Sequence, residues 1–483
     1  SNFVNDVMKY NNLGAGSIYD KPESSATQWS LMSYLARINY SLYDRYLFSV
    51  NGRVDGSSRF GGNNKYGFFP SGSVAWRISE EGFMEPVKAV INNLKLRTSY
   101  GFTGNTEIGV YESLATLESN SWTIGNQLVS GFYPNRIPNP DLKWEKTGQF
   151  DIGFDLGLFN NRLRLTADYY YKKTTDLLYN VAIPSASGYD SMLKNIGSVQ
   201  NKGYELSIES DNLSGAFSWT TAFNISFNRN KVLELGGETY KDVGTYDDHL
   251  KTSDIRRLIV GQPIGVFYGY RFDGIFQNEA ECAQQTSSPS PIGVGLRRYK
   301  DLNGDGKIDA TNDREILGDA NPKFFGGMTN TFAYRGFELN VFLQYSYGNK
   351  IFNYNAMELE SPTGGQNVYQ DLVNRWTPTN PSNEYQKATT NRNNIVSDRF
   401  IEDGSFLKLK TVSLSYSFPK LNWKHLGGLR LYVTGQNLLT WTKYRGYDPE
   451  VSYRGASTLE AGEDFGGYPQ ARTFMFGIKL DIK

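Results

Sequence analysis

Across 483 residues, Lys+Arg and Asp+Glu are equal at 50 each, so no global field draws the chain to nucleic acid or to an acidic surface. A mean hydropathy of −0.49 and the lack of any run of eighteen apolar residues exclude a helical membrane protein. They leave open a β-barrel, which hides its membrane signal at every second position. Aromatic content of 14%, with 33 Tyr and 29 Phe, suits the girdles of such a barrel, and the single cysteine, Cys282, excludes an internal disulfide framework.

The chain starts at Ser1 with neither an initiator methionine nor a targeting segment, and it reads as a fragment. Residues 1–28 are polar and turn-rich without periodicity, which predicts a loop. Alternating segments begin directly after. SLMSYLARINY and RYLFSVNGRVD flank a short LYD connection, and Tyr46, Phe48, Val50 and Val54 share a face against Ser49, Asn51, Arg53 and Asp55. SGSVAWRI and LKLRTSYGF follow, and a long loop over about 103–142 contains Trp122 and Tyr133.

The segment from Phe150 to Tyr171 decides the architecture. Phe150, Ile152, Phe154, Leu156 and Leu158 alternate with Asp151, Gly153, Asp155 and Gly157, and a second strand resumes the alternation from Leu163. Asn160 and Asn161 between them predict a two-residue turn. The strands run for nine residues or more, whereas sandwich strands usually stop after about five or six. A tilted transmembrane β-strand needs about 9 to 11. Further pairs follow at 204–227, at GGMTNTFAY with FELNVFLQYSY across Arg335 and Gly336, and at FLKLKTVSLSYSF with LRLYVTGQNLL. RTFMFGIKLDI closes the series.

Thirteen strands result, all antiparallel and up-and-down. A fourteenth candidate at 264–276 would break the rule that short turns share one side of the membrane, so it belongs to an outer excursion over about 229–322. Residues 29–483 therefore form one barrel segment, with further long outer loops at about 353–403 and 443–469.

Several ordered motifs carry a family resemblance: SYLARINYSLYDRYLFSVNGRVDGSSRFG, KYGFFPSGSVAWRISEEGFM, NPDLKWEKTGQFDIGFDLGLFNNRL, DLNGDGKID and LYVTGQNLLTWTKYRGYDPE. Together they resemble the C-terminal barrel portion of a SusC/RagA-type TonB-dependent outer-membrane transporter. The resemblance implies a 22-stranded barrel in the Gram-negative outer membrane, of which about thirteen strands are here. It also implies an N-terminal plug and TonB-contacting segment outside this chain, and a SusD-like surface lipoprotein over the outer mouth. The expected activity is nutrient import of oligosaccharide or peptide cargo. The chain departs from the pattern in having no recognisable plug and in ending at Lys483 rather than an aromatic residue. Lipid-exposed edges must be paired, so other residues are expected to complete the barrel. The competing readings are a non-energised structural or adhesion barrel, and a soluble secreted glycan binder.

Among candidate sites, Asp301, Asn303 and Asp305 place oxygens at positions 1, 3 and 5 of an EF-type loop. Gly306 makes the turn, the Lys307 carbonyl and Asp309 stand at positions 7 and 9, and Asp313 follows Asn312, which occupies position 12. The pattern points to a structural calcium. The same residues also make tight turns unaided. For catalysis the sequence offers only His249, His425 and Cys282, without a nucleophile motif, and no enzyme is expected. Trp122, Tyr133 and Trp376 suit either sugar stacking or loop packing. Arg53, Arg97, Arg164, Asp151, Asp155 and Glu205 are expected to face the lumen, and no substrate-binding residue can be assigned.

Overall fold

The computed structural model describes residues 26–183, 189, 191–244, 255–361, 367–389, 394–419, 426–451, 453–455 and 457–482. Most of the amino-terminal loop, His249 and His425 lie outside these. One antiparallel sheet of thirteen strands dominates. Its strands, in chain order and in spatial order, are β1 (Leu31–Leu42), β2 (Tyr46–Ser57), β3 (Tyr66–Arg77), β4 (Ile91–Asn105), β5 (Glu145–Leu158), β6 (Leu163–Thr175) and β7 (Ser198–Leu213). They continue with β8 (Phe217–Glu234), β9 (Phe324–Tyr334), β10 (Phe337–Tyr347), β11 (Phe406–Ser417), β12 (Leu426–Thr442) and β13 (Thr473–Ile482). Each strand pairs with its neighbours in sequence, so the chain meanders without crossing.

The strands lie where period-two alternation places them, and they extend further, because the ladder continues through glycine and polar residues that break the hydrophobic pattern. β3 starts at Tyr66, inside the glycine-rich run, and β4 spans 15 residues. Short connections such as Arg335–Gly336 lie at one end, and the connections of 22 residues or more lie at the other. The segment 264–276 is outside the main sheet. Val266–Tyr270 joins a four-stranded side sheet and Phe272–Ile275 a two-stranded one.

The turn between β5 and β6 differs from expectation. It contains four residues, 159–162, between the last pair Leu158↔Leu163, and Phe159, Asn160 and Asn161 all adopt left-handed backbone with φ of 54 to 59°. The reason is a neighbour. The Phe159 amide donates to the Val90 carbonyl at 2.8 Å in the preceding connection, and the Asn161 amide donates to Asn92 Oδ1 at 3.2 Å, which draws both residues out of the hairpin ladder.

The sheet is turned inside out relative to a water-soluble protein. Its apolar side chains are the exposed ones: Ile38 is 71% exposed, Val50 62% and Phe476 83%. On β5, Ile152 and Phe154 are exposed while Gly153 between them, and Gly157 further along, are buried. In water a contiguous surface of this kind would be strongly unfavourable, and against acyl chains it costs nothing. Along β1 and β13 nearly every residue is exposed, and among the described residues each of these strands is paired on one side only.

Substitution should distinguish the two faces. Ile152→Arg, near the middle of β5, is expected to destabilise the folded barrel by about 2–4 kcal/mol, whereas Ser49→Arg on the polar face should cost far less. Urea titration of the full-length protein in vesicles would measure both, and equal costs would contradict the assignment of faces.

Candidate functional site

The polar face of the sheet carries a ladder of charges. Arg97 on β4 reaches Asp168 at 2.8 Å and Asp155 at 3.3 Å, and Lys95 approaches Asp155 at 3.7 Å. Gly153 makes this possible, since a Cβ there would collide with the Asp168 carboxylate. Arg164 pairs with Glu209 at 3.0 Å and Arg53 with Asp55 at 2.7 Å. Asp151 accepts from the Gln149 amide at 2.8 Å, and Glu205 stands opposite Asp168 in the β6–β7 register. These pairs are half-exposed, so each contributes little to stability. What they supply is a wettable wall carrying both signs of charge.

Three outer connections, 235–323, 348–405 and 443–472, fold together above this wall. A short strand, Lys350–Asn353, pairs antiparallel with Ile401–Asp403 and parallel with Glu463–Asp464, so the second and third connections share a sheet. Ile255 and Phe267 from the first connection pack with Phe352, Met357, Val396 and Phe400 from the second, and Phe465 from the third lies against the same cluster.

Inside this joint core are buried charges that no spacing along the chain connects. Glu360, 1% exposed, accepts from Arg399 Nε at 2.8 Å and Arg445 Nη1 at 3.1 Å, with Arg297 Nη2 at 4.0 Å. It thereby joins a cation from each of the three connections. Arg445 also spans to Glu402 at 2.9 Å. A second centre pairs Arg256 with Glu463 at 3.0 Å, and the same guanidinium donates to the Gly265 carbonyl at 2.5 Å and to the Ala461 carbonyl. Burial pushes the Arg256 guanidinium down and the Glu463 carboxyl up, as expected where desolvation outweighs the attraction between the pair.

The third connection is also tied to the inner wall. Lys408 on β11, 1% exposed, donates to Asp448 at 2.6 Å and to Glu450 at 2.5 Å. Glu450 also accepts from Lys410 at 3.1 Å and from the Gln344 side-chain amide at 3.0 Å. Leu407, the neighbour of Lys408, is exposed on the apolar side, so the acidic pair meets the strand on its lumen side.

The aspartate-rich loop is held by its own amides. Asp301 accepts from the Gly304 and Gly306 amides at 2.7 Å each, and both glycines have φ near +77°. Asn303 bonds to Asp305, and Asp305 accepts from the Lys307 amide at 2.8 Å. Asp313 is fully buried and accepts from the Leu302 and Asp309 amides at 2.8 Å each. Hydrogen bonds from Asn312 and Thr311 hold the Asp309 carboxyl below the usual carboxylate range. Among the described residues no group of three or more His, Cys, Asp or Glu side chains converges as a cation would need.

The aromatic candidates separate. Trp122 and Tyr133 make an edge-to-face pair at 6.3 Å on a hairpin of Thr116–Ile124 with Gln127–Arg136, and both are exposed. Trp376 packs inward against Gly295 and donates to Gln277 at 3.1 Å. Cys282 is buried in a short helix, and burial pushes its thiol up, the direction that disfavours the nucleophilic thiolate.

Comparison with known proteins places this geometry. The model of the family described as TonB dependent receptor-like, beta-barrel, matches residues 2–277. TonB-dependent receptor P3 of Formosa agariphila is 41% identical over 487 residues, covering 99% of this chain and 48% of that protein. TonB-dependent receptor SusC of Bacteroides thetaiotaomicron is 32% identical over 472 residues, covering 95% and 44%. The structure of the RagAB peptide transporter superposes with a TM-score of 0.81 at 27% identity, covering 97% of this chain and 50% of that one. The chain thus spans about half the length of the curated relatives it matches.

Two outcomes test this site. Glu360→Ala removes the buried carboxylate that Arg399 and Arg445 share and is expected to cost about 3–5 kcal/mol, with amide exchange rising in all three outer connections together. Faster exchange in only one of them would show that they are not coupled. Chelation with EDTA is expected to leave the melting temperature unchanged, and a drop restored by added calcium would establish an ion in the aspartate loop.

Proposed function

Given that this chain belongs to the TonB-dependent receptor family, we propose that it is the barrel portion of a TonB-energised importer that takes up oligosaccharides or peptides through the outer membrane of a Gram-negative cell. The observation that carries this reading is the combination of an apolar outer face, a charged and wettable inner face and a rim of outer connections fused by buried ion pairs. An importer of large polar cargo needs all three: a wall that tolerates lipid, a lumen that tolerates water and a mouth rigid enough to dock against. The family is one of receptors and transporters rather than of enzymes.

The family relationship supplies the remaining parts of the proposal. Strands and a plug outside this chain would close the barrel and contact TonB, and a lipid-anchored surface protein of the SusD kind would close over the outer connections. The names SusC and RagAB among the similar proteins support such a partner, and the RagAB structure is described as a peptide transporter. The rigid rim would let a lid rock against it, so that lid and plug open opposite ends of the lumen in turn. The exposed Trp122 and Tyr133 give the mouth an aromatic surface suited to cargo or lid.

In cells dependent on the full-length gene for growth on an oligosaccharide or peptide, collapsing the proton-motive force is expected to abolish uptake. Truncating the TonB-contacting segment should have the same effect. Uptake that survives both treatments would favour a non-energised barrel.

A further inference from the structure

The connection between β3 and β4, residues 78–90, differs from four other connections at the same end of the barrel. Those at 43–45, 159–162, 214–216 and 335–336 are four residues or fewer, whereas this one contains two successive 3-10 turns, Ile78–Glu80 and Gly82–Val87. Its placement is fixed by Glu81. That carboxylate accepts from Tyr46 Oη at 2.7 Å, Trp76 Nε1 at 3.0 Å and Arg45 Nη1 at 3.2 Å. Tyr46 and Trp76 are cross-strand partners, in phase with the exposed Phe48, Val50 and Val74. Glu81 is therefore fastened to the lipid side of the rim, not over the lumen.

From that anchor the segment turns one face in and one face out. Met84 is buried, while Phe83 is 65% exposed and Val87 and Val90 are exposed with it. Asn92 ties its end down by donating to the Lys88 carbonyl at 2.9 Å and accepting from the Asn161 amide. Val90 accepts from Phe159, itself exposed. The charges around it balance: Arg77 pairs with Glu80 at 3.5 Å and Lys88 with Glu85 at 2.6 Å. No surplus of cations remains to select an anionic phosphate, so the feature left to explain is the apolar one.

We propose that residues 78–90 form a lipid-facing foot, seated in the headgroup layer of the leaflet on the short-turn side. Phe83, Val87 and Val90 enter the boundary with the acyl chains, and Glu81 is the positioning residue that holds the foot against the barrel wall. The patch is continuous with the apolar band of the strands, which fixes its occupant as phospholipid. Aromatic and aliphatic side chains at this level favour the interface over water. Because the foot is hydrogen-bonded to two neighbouring turns, it would set the depth of β2 to β5 as a unit.

The test uses the full-length protein in phosphatidylcholine vesicles, with Cys282→Ser as background and a nitroxide attached at Phe83→Cys. The expected result is collision with oxygen in excess of collision with a water-soluble nickel chelate, the reverse of the balance at Asn380→Cys in an outer turn. Adding Glu81→Ala should shift the Phe83 label toward the water-exposed balance. If that variant fails to fold, Tyr46→Phe removes one donor with less disturbance and should shift the label part of the way. A nickel accessibility at Phe83 equal to that at Asn380 would overturn the proposal. Low access to both reagents would place the segment against another protein and would overturn it as well.

Discussion

Backbone amides and carbonyls in hydrocarbon have no water to bond, and this constraint shapes the whole molecule. It forces long strands paired edge to edge, and it leaves side-chain chemistry as the only thing that can differ between the two faces. The thirteen-stranded sheet meets it with antiparallel pairing of every strand to its neighbours in sequence order, broken only by local register shifts. Because successive residues point to opposite faces, a single alternation supplies both an apolar exterior and a charged lumen. Gly153 shows how tightly the two are bound together. Between exposed Ile152 and Phe154 it leaves the room in which Asp168 meets Arg97.

At the outer end the constraint lapses, and the chain organises itself by different means. There the connections are long, carry their own short strands and bury apolar side chains in the ordinary inward manner, as Phe267, Phe352 and Phe400 do. Buried ion pairs add specificity in this setting more than net stability. Glu360 has no good alternative to the arginines around it, and any rearrangement that separates the three connections strands a charge. The outer mouth is thus a unit, fastened to the inner wall through Lys408.

The strands were legible because their signal is local: alternation over ten or more residues, with turn residues at the ends. Parity of the short turns was enough to place 264–276 outside the sheet. The FNNR turn was misread as a two-residue turn because its geometry depends on Val90 and Asn92, some 70 residues away in the chain. The Asp301 loop shows how one pattern serves two chemistries, since carboxylates spaced to bind a cation also accept amide hydrogens from their own turn. The Glu360 centre was invisible, because its partners Arg297, Arg399 and Arg445 come from three connections and no spacing relates them. Trp376 and Trp122 looked alike in sequence, and only packing against Gly295 separates them.

The central claim is that the apolar face of every strand meets lipid and the polar face meets water. Cysteines placed singly at 150, 151, 152, 154, 155, 156 and 158 along β5 of the full-length protein in vesicles, each challenged with a water-soluble maleimide, would test it most directly. Labelling should alternate, with 151 and 155 reactive and the even positions protected. Uniform labelling, or an alternation of the opposite phase, would contradict it.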